Sequence, residues 1–299
     1  MGRKASEQKN SASKYDFVKV RVHLSEQHYY VLSRFILCRM LTAARIDYGH
    51  ALRMALDLKK RLVDKSQLDV SQQELQCELF DLFQRHGYGA EHVKWYKTMA
   101  NFHHQRIPLV VLLAGTASIG KSTIATRLSE RLNLSSVLKT DVVYDLMHTI
   151  MDGVAPPSLW SLDDIHFDRE CALVCQDDWY DVGLDADLCK SVSDGKSIII
   201  EGDLVSHALL DHMQQFQQQQ VVVAPFLLTL SDINLHRELV QDPQIFDRLR
   251  AWQDALLKAN SRKNGPKFNV IQVDLDNLQA SIDSIQAIVL DRIAAQMNK

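Results

Sequence analysis

Two hydrophobic patterns follow one another along this chain of 299 residues. Near the start, residues 17–22 alternate valine with charged residues, which predicts a half-buried strand. Apolar residues then recur at helical spacing, which predicts four helices near residues 27–44, 49–63, 71–86 and 91–104. The third of these opens with Ser71 and Glu74, the pattern of a capping box. Residues 16–104 are therefore expected to form a small, mainly helical domain behind a polar tail, residues 1–15, that we expect to be disordered.

A different pattern begins at about residue 105, where short apolar runs alternate with helical segments. Five runs are candidate strands: residues 109–113, 136–140, 197–200, 221–230 and 268–273. The last helix is expected over residues 278–297. Regular alternation of strand and helix predicts an α/β domain over residues 105–299, with a parallel sheet of about five strands and helices on both faces. Ligands of such sheets bind at the carboxyl ends of the strands, so candidate chemistry is expected there.

The first of these strands runs into a glycine-bearing loop with the spacing GxxxxGKS. Glycines at both ends let the backbone curl so that successive N–H groups point inward at phosphate oxygens, and the following helix start favours negative charge. In this pattern Lys121 reaches the β- and γ-phosphates and the Ser122 hydroxyl ligates Mg²⁺, so we expect ATP and Mg²⁺ as cofactors. The candidate nucleotide-binding residues are Gly115, Thr116, Ala117, Ser118, Ile119, Gly120, Lys121, Ser122 and Thr123.

Acidic residues follow two other strands at the same edge of the expected sheet. Asp141 comes after the second strand and either accepts a proton or helps to hold Mg²⁺, or it is the N-cap of the next helix. Glu201 ends the third strand, where a carboxylate that contacts Mg²⁺ is expected, with a plain strand-end carboxylate as the alternative. Asp203 is either part of the same site or a cap of the following helix.

Composition limits the binding partners and the cellular location that we expect for this protein. A net charge of −3 and a pI near 6.4 give no basic footprint for nucleic acid or an anionic membrane. The five cysteines include no CxxC pair, which argues against a zinc site or a disulfide framework, and most are expected to be small buried hydrophobes. No apolar run approaches bilayer length and the start lacks an apolar signal core, so we expect a cytoplasmic protein without stable membrane association. Gly2 and Ser6 match the loose N-myristoylation pattern, for which a chance match is the alternative.

Three segments of the chain belong together: GTASIGKSTIATRLSERLNL, SVLKTDVVYDL and DGKSIIIEGDLV. They resemble the 2-phosphoglycerate kinase family, which comprises archaeal enzymes and plant P-loop relatives, and the similarity extends over roughly residues 16–290. The resemblance implies a P-loop NTPase fold behind an ATP-cone-like domain. It also implies a phosphotransferase that moves the γ-phosphoryl group of Mg-ATP to 2-phosphoglycerate or a similar phosphorylated small acid. The first domain also resembles an ATP-cone in its order of strand and helices, and a purely structural or substrate-covering cap is its alternative.

Such a reaction needs cationic side chains beyond the phosphate loop, because both the substrate and the transferring group are anionic. Arg237 and Arg248, in the segment after the fourth strand, are the candidates. The resemblance implies a longer lid with several arginines here, whereas this chain has only LVQDPQIF. Residues 152–167 lie where nucleotide-type kinases place a substrate-covering insertion. A nucleotide-binding regulatory or scaffold protein without efficient phosphoryl transfer is therefore the alternative function.

Overall fold

A computed structural model describes residues 14–134, 136–152 and 184–298 of the protein. The chain divides into two compact units, the first ending at Tyr96 and the second beginning at Lys97. This division falls inside a helix rather than after residue 104, where the sequence pattern predicts the boundary. The polar tail, apart from residues 14 and 15, and Gly2 lie outside the described residues.

The first unit combines a small sheet with helices. Its elements, with the helix that carries the chain into the second unit, are α1 (Lys14–Phe17), β1 (Arg21–His23), β2 (Tyr29–Val31), α2 (Arg34–Ala43), α3 (Tyr48–Asp64), β3 (Asp69–Ser71), α4 (Gln72–Arg85) and α5 (Ala90–Gln105). The central strand β1 pairs antiparallel with β2 and parallel with β3. The capping box of α4 is confirmed, because the Ser71 hydroxyl accepts from the Glu74 backbone while the Glu74 side chain accepts from the Ser71 backbone.

Two boundaries in this unit differ from the sequence predictions, and two short strands were not predicted. The strand expected over residues 17–22 is shorter and begins at Arg21, because residues 14–17 form a helical turn in which the Tyr15 hydroxyl donates to Asp64 at 3.1 Å. The helix expected from residue 27 begins only at Arg34, because residues 29–31 form β2. Strands of three residues are too short to show a period, and the pattern does not reveal β3 for the same reason.

The second unit contains the parallel sheet. Its elements after α5 are β4 (Leu109–Ala114), α6 (Lys121–Leu132), β5 (Ser136–Lys139), α7 (Thr140–Asp152), α8 (Leu184–Ser193), β6 (Ile198–Glu201), α9 (His207–His212), a 3₁₀ helix (Met213–Gln219), β7 (Val222–Thr229), α10 (Ile233–Val240), α11 (Pro243–Asn260), β8 (Asn269–Gln272) and α12 (Leu278–Met297). The five strands are all parallel, in the order β5-β6-β4-β7-β8. The predicted five-stranded α/β fold is confirmed.

Strand register brings the loops after three strands to one edge of the sheet. All six residues of β4 are buried, as expected for the central strand of a sheet covered on both faces. Leu113 of β4 lies opposite Glu201 of β6, which in turn lies opposite Lys139 of β5. The chain passes from β4 to β5 across β6, so the direction of winding changes beside β4. Open α/β sheets bind their ligands at such a switch point, outside the carboxyl ends of the strands.

Three of the five cysteines lie among the described residues. Cys38 is buried, but Cys77 and Cys189 are exposed. Cys77 lies off the apolar face of its helix, which on α4 is formed by Leu75, Leu79 and Leu82. Cys171 and Cys175 lie outside the described residues, as does nearly all of the segment of residues 152–167. Among the described helices, none combines the length and hydropathy that a membrane span requires.

Candidate active site

The phosphate loop joins β4 to α6 through backbone conformations that favour glycine. Gly115 has φ of 140° and Gly120 has φ of 83°, and the Ser118 backbone between them is also left-handed. A Cβ at position 115 would lie 2.6 Å from the Leu228 carbonyl oxygen of β7. The loop therefore packs so closely on the neighbouring strand that only glycine fits there.

The backbone N–H groups of this loop form the second part of the site. No carbonyl among the described residues accepts a backbone hydrogen bond from the N–H groups of residues 116–121. The buried Oγ1 of Thr116 likewise has no partner in the part of the chain that the structure describes. Because the first N–H groups of α6 add the positive end of a helix dipole, these donors suit an anion such as the phosphates of a nucleotide.

Lys121, the first residue of α6, turns its side chain back toward the loop. Its Nζ donates to the Thr116 carbonyl oxygen at 2.5 Å and to Oδ1 of Asp203 at 2.6 Å. The side chains of Lys121 and Asp203 are each only 8% exposed. The ammonium group is thus held, with a counter-ion, beside the donors of the loop.

Ser122 and Glu201 form a second contact between α6 and the end of β6. The Ser122 hydroxyl donates to Oε1 of the buried Glu201 at 2.8 Å. The Nζ of Lys139, on the exposed edge of β5, lies 3.9 Å from the same carboxylate oxygen. A hydroxyl and a carboxylate oxygen are ligands that Mg²⁺ accepts, usually beside phosphate oxygens and water. Within the described ranges, no group of three or more His, Cys, Asp or Glu side chains could hold a metal ion by itself.

Asp141 lies in the first turn of α7, which begins one residue earlier at Thr140. The alternative that Asp141 is an N-cap is therefore wrong. Its side chain reaches solvent, yet partial desolvation is the main cause that raises its pKa, followed by the charge of Asp203. The charge of Glu201 also raises this pKa, whereas Lys121 and a hydrogen bond from the Asp203 backbone lower it. The surroundings thus shift the pKa of Asp141 toward accepting a proton.

Asp203 is the residue whose part in this cluster the sequence left open. The alternative that it caps the next helix is wrong, because Ser206 caps α9 and accepts from the Ala208 backbone at 3.3 Å. Its backbone is fixed from α11, where Trp252 Nε1 donates to the Asp203 carbonyl at 3.1 Å. In the sequence, the only indication of a role for Asp203 was its position two residues after the end of β6. The fold shows that the Asp203 side chain turns toward Lys121.

Gly202, between the two acidic residues, allows a close approach of two chain segments. It has φ of 147°, and a Cβ there would lie 1.8 Å from Oγ1 of the fully buried Thr140. This contact brings the start of α7, and with it Asp141, against the loop that carries Asp203.

The two arginine candidates lie on α10 and α11, which are joined by only Gln241 and Asp242. The segment expected to act as a short lid thus consists of two helix ends and this turn. The Arg237 guanidinium lies over the Phe246 ring, 4.9 Å from its centroid, and Arg248 is half-buried on α11. The structure therefore gathers Lys121, Ser122, Asp141 and Glu201 into one cluster with Asp203, whereas it places Arg237 against an aromatic ring.

Arg250 anchors α11 to the sheet. Its guanidinium donates to the Leu230 carbonyl at 3.0 Å, and the Gln253 side chain accepts from the Leu230 backbone at 3.4 Å. These bonds fix α11 to the end of β7, beside the candidate site.

Comparison with known proteins finds several relatives that share one name, 2-phosphoglycerate kinase. No protein-family model matches the chain. The 2-phosphoglycerate kinase of Pyrococcus horikoshii is 29% identical over 180 residues, which cover 57% of this chain and 60% of that protein. The enzyme of the same name from Thermococcus kodakarensis is 34% identical over 40% of this chain and 41% of its own. The one from Methanopyrus kandleri is 22% identical over 288 residues, 88% of each protein. This chain thus spans about 60% of the length of the Pyrococcus horikoshii relative.

Among solved structures, a gluconokinase from Sinorhizobium meliloti 1021 covers 64% of this chain and 94% of its own, at 11% identity and a TM-score of 0.37. A TM-score this low does not establish a shared fold. The fold is therefore assigned from the order of the strands and from the phosphate loop. Sequence similarity to proteins named 2-phosphoglycerate kinase thus reaches 88% of this chain, at 22% identity.

Proposed function

We propose that this protein is an ATP-dependent kinase that transfers the γ-phosphoryl group to the hydroxyl of 2-phosphoglycerate or a similar phosphorylated small acid. The observation that carries the proposal is the cluster at the carboxyl edge of the sheet. There Lys121 and Ser122 of the phosphate loop meet three carboxylates, those of Asp141, Glu201 and Asp203. The names of the sequence relatives support the same class of reaction.

The loop and α6 would bind the nucleotide. Bound Mg-ATP supplies the transferable phosphoryl group, and its metal neutralises part of the developing negative charge. The N–H groups of residues 116–121 would bind phosphate oxygens, and Lys121 would add positive charge beside them. Ser122 and Glu201, already in contact, would hold Mg²⁺.

Asp141 would accept the proton of the substrate hydroxyl. Its pKa is raised by partial desolvation and by the neighbouring carboxylates, so it is a better proton acceptor than an ordinary aspartate. The contact of Gly202 with Thr140 would keep this carboxylate at a fixed place beside the cluster. The Lys121 ammonium group lies close enough to Asp141 that its charge offsets part of this rise in the Asp141 pKa.

Cations outside the loop would hold the phosphate and carboxylate of the acceptor. Arg237 and Arg248 are the candidates, because α10 and α11 both lie beside the end of β7. The exposed Arg237 can leave the Phe246 ring at a small free-energy difference, since a cation–π contact at an exposed site contributes about 0.5–1 kcal/mol.

A direct test measures ADP release with and without 2-phosphoglycerate, for the wild type and for Lys121→Ala. Stimulation by the acceptor that disappears in Lys121→Ala supports the kinase. Lys196→Ala is a matched control, because this lysine lies before β6 in an exposed pair with Asp194. Other phosphorylated three-carbon acids and phosphorylated polyols belong in the same panel, because they carry the same anionic groups and a free hydroxyl.

A second candidate function is nucleotide binding without efficient transfer, as in a regulatory or scaffold protein. The observation that favours it is the two-residue connection between α10 and α11, which leaves no room for a longer arginine-bearing segment between these helices. Nucleotide binding that depends on Lys121, with no stimulation by any member of the acceptor panel, supports this alternative and contradicts the kinase.

A further inference from the structure

One fully buried histidine connects the phosphate loop to α10. His236 is 0% exposed, and its Nε2 lies 3.2 Å from the carbonyl oxygen of Ala117, which lies between the two loop glycines. Burial is the main cause that lowers the pKa of His236, and the charges of Arg250 and Lys121 act in the same direction. Burial thus favours the neutral imidazole.

The contact fixes the tautomer of this ring. A carbonyl oxygen only accepts, so Nε2 must carry the proton and donate it to Ala117. The other nitrogen, Nδ1, is buried and has no partner among the described residues. Because Nδ1 is a buried acceptor without a described partner, it does not stabilise the fold. The hydrogen bond from Nε2 to Ala117 is therefore the polar contact through which this ring acts.

The direction of the Ala117 carbonyl matters for anion binding. The N–H groups of residues 116–121 lack backbone acceptors among the described residues, and a carbonyl oxygen turned among them would repel a phosphate oxygen. The hydrogen bond from His236 holds this carbonyl toward α10 instead. It therefore holds the loop at Ala117.

The same helix carries the candidate arginine. The rings of His236 and Phe246 lie edge to face with centroids 5.6 Å apart, and the guanidinium of Arg237 lies over that same Phe246 ring. We propose that His236 is a positioning residue that fixes the phosphate loop through Ala117 and couples the loop to the two helices that carry Arg237 and Arg248. This inference rests on one part of the proposed function, namely that the phosphate loop binds a nucleotide.

The experiment compares His236→Leu with His236→Gln in the full chain, with ADP binding measured by titration calorimetry in the presence of Mg²⁺. Glutamine can place an amide N–H near the position of Nε2, whereas leucine cannot donate. Loss of one hydrogen bond of typical net strength corresponds to about tenfold weaker binding for His236→Leu. His236→Gln is expected within about threefold of the wild type, on the same scale.

His207→Leu is the matched control. His207 on α9 is half-buried, its Nε2 lies 3.3 Å from Asn260 Oδ1 and its ring contacts Phe268, whereas no described hydrogen bond joins its side chain to the phosphate loop. Its loss is expected to lower thermal stability and leave ADP affinity unchanged. Equal weakening of ADP binding by the Leu and Gln variants, or unchanged binding in His236→Leu, would overturn the positioning role. A wild type that binds no ADP refutes the proposed nucleotide site itself, which is a separate outcome.

Turnover gives a second readout once an acceptor is known. A positioning role predicts that His236→Leu raises the KM for ATP about tenfold while kcat for the bound complex falls less, and that His236→Gln restores KM. A lower melting temperature with unchanged KM would mean that the ring only fills space, and would overturn the inference.

Discussion

Lys121 Nζ lies 2.6 Å from Asp203 Oδ1, and both side chains are buried at the edge of the sheet. Removing two charges from water is costly, so each of them depends on the other once the site is buried. Replacing Asp203 with alanine leaves the ammonium with only the Thr116 carbonyl as a described partner. We expect Asp203→Ala to destabilise the protein by about 3 kcal/mol, measured by urea unfolding of the full chain.

A double variant tests whether the loss of stability comes from an unpaired buried charge or from the loss of the ion pair itself. Lys121→Met with Asp203→Leu removes both charges and is expected to recover most of the lost stability, because buried ion pairs are often replaceable by apolar residues. The exposed pair of Lys196 and Asp194 is the control, and Lys196→Ala should not change the urea midpoint measurably. An unchanged midpoint in Asp203→Ala would contradict the idea that this pair is energetically coupled to folding.

Gly202→Ala tests the close approach of α7 to the loop after β6. The new Cβ would lie 1.8 Å from Thr140 Oγ1, and the backbone φ of 147° disfavours any side chain. We expect a destabilisation of about 3 kcal/mol or more, seen as a lower melting temperature. Gly87→Ala is the matched control, since its φ is also positive but no atom lies within 4 Å, and only the backbone strain of about 1 kcal/mol remains.

A second substitution locates the cause of that effect. Thr140→Ala removes the Oγ1 atom that the new methyl group would meet, so the double variant should be more stable than Gly202→Ala alone. Thr140→Ala itself loses the bond that Oγ1 accepts from the Leu204 backbone at 3.4 Å and should be mildly destabilised. If the double variant is no more stable, the clash with Thr140 is not the reason for the glycine.

The sheet was predictable because it depends on local pattern. The five apolar runs, the glycine spacing and the periodic last helix each carry their own signal, and β4 to β8 lie within a residue or two of the expected bounds. The phosphate loop could be read from spacing alone, because Gly115 and Gly120 are required by backbone angles that few other residues adopt.

The parts that the sequence did not predict depend on distant contacts. The part of Asp203 as partner of Lys121 depends on a contact across 82 residues of chain, and no local pattern carries such information. The same holds for His236, whose partner Ala117 is 119 residues away. In the first unit, β2 has three exposed residues, so the alternation that normally indicates a strand is absent.

The acid sensitivity of the first unit is expected to depend on Asp69. Hydrogen bonds from Arg21 and then His23 lower its pKa to about 2. The lowered folded-state pKa means that the carboxylate stabilises the fold fully above its ordinary value near 3.8 and loses this effect as pH falls toward about 2. The melting temperature of Asp69→Asn should therefore lie below that of the wild type near neutral pH, and the gap should close as pH falls through this window.

The difference in melting temperature between the wild type and Asp69→Asn reports on this one carboxyl group, because all other groups that titrate in acid are present in both proteins. In an Arg21→Ala background the gap should already be smaller at neutral pH, because the guanidinium that donates to both carboxylate oxygens at 2.7 Å is gone. A gap that stays constant from about pH 6 to about pH 2 would mean that the ionisation of Asp69 does not contribute to stability.

Asp141 gives the sharpest test of phosphoryl transfer. Asp141→Asn keeps the size of the side chain but removes the proton acceptor, so we expect kcat to fall by about 10²- to 10⁴-fold with ADP affinity little changed. Because desolvation and then the charge of Asp203 raise the pKa of Asp141, the wild-type kcat/KM should fall with decreasing pH at a value above the ordinary 3.8 of aspartate. Activity requires the deprotonated form, so the loss lies on the acid side.

Two further variants give this experiment its control and its counter-test. Asp145→Asn, one helical turn further along α7, removes an exposed carboxylate of the same helix and should leave kcat unchanged. Asp203→Asn removes the neighbouring negative charge that raises the pKa of Asp141, so the acid limb of any residual activity should move to lower pH. If Asp141→Asn retains wild-type kcat, or if the acid limb of Asp203→Asn matches that of the wild type, another group accepts the proton and the role proposed for Asp141 is wrong.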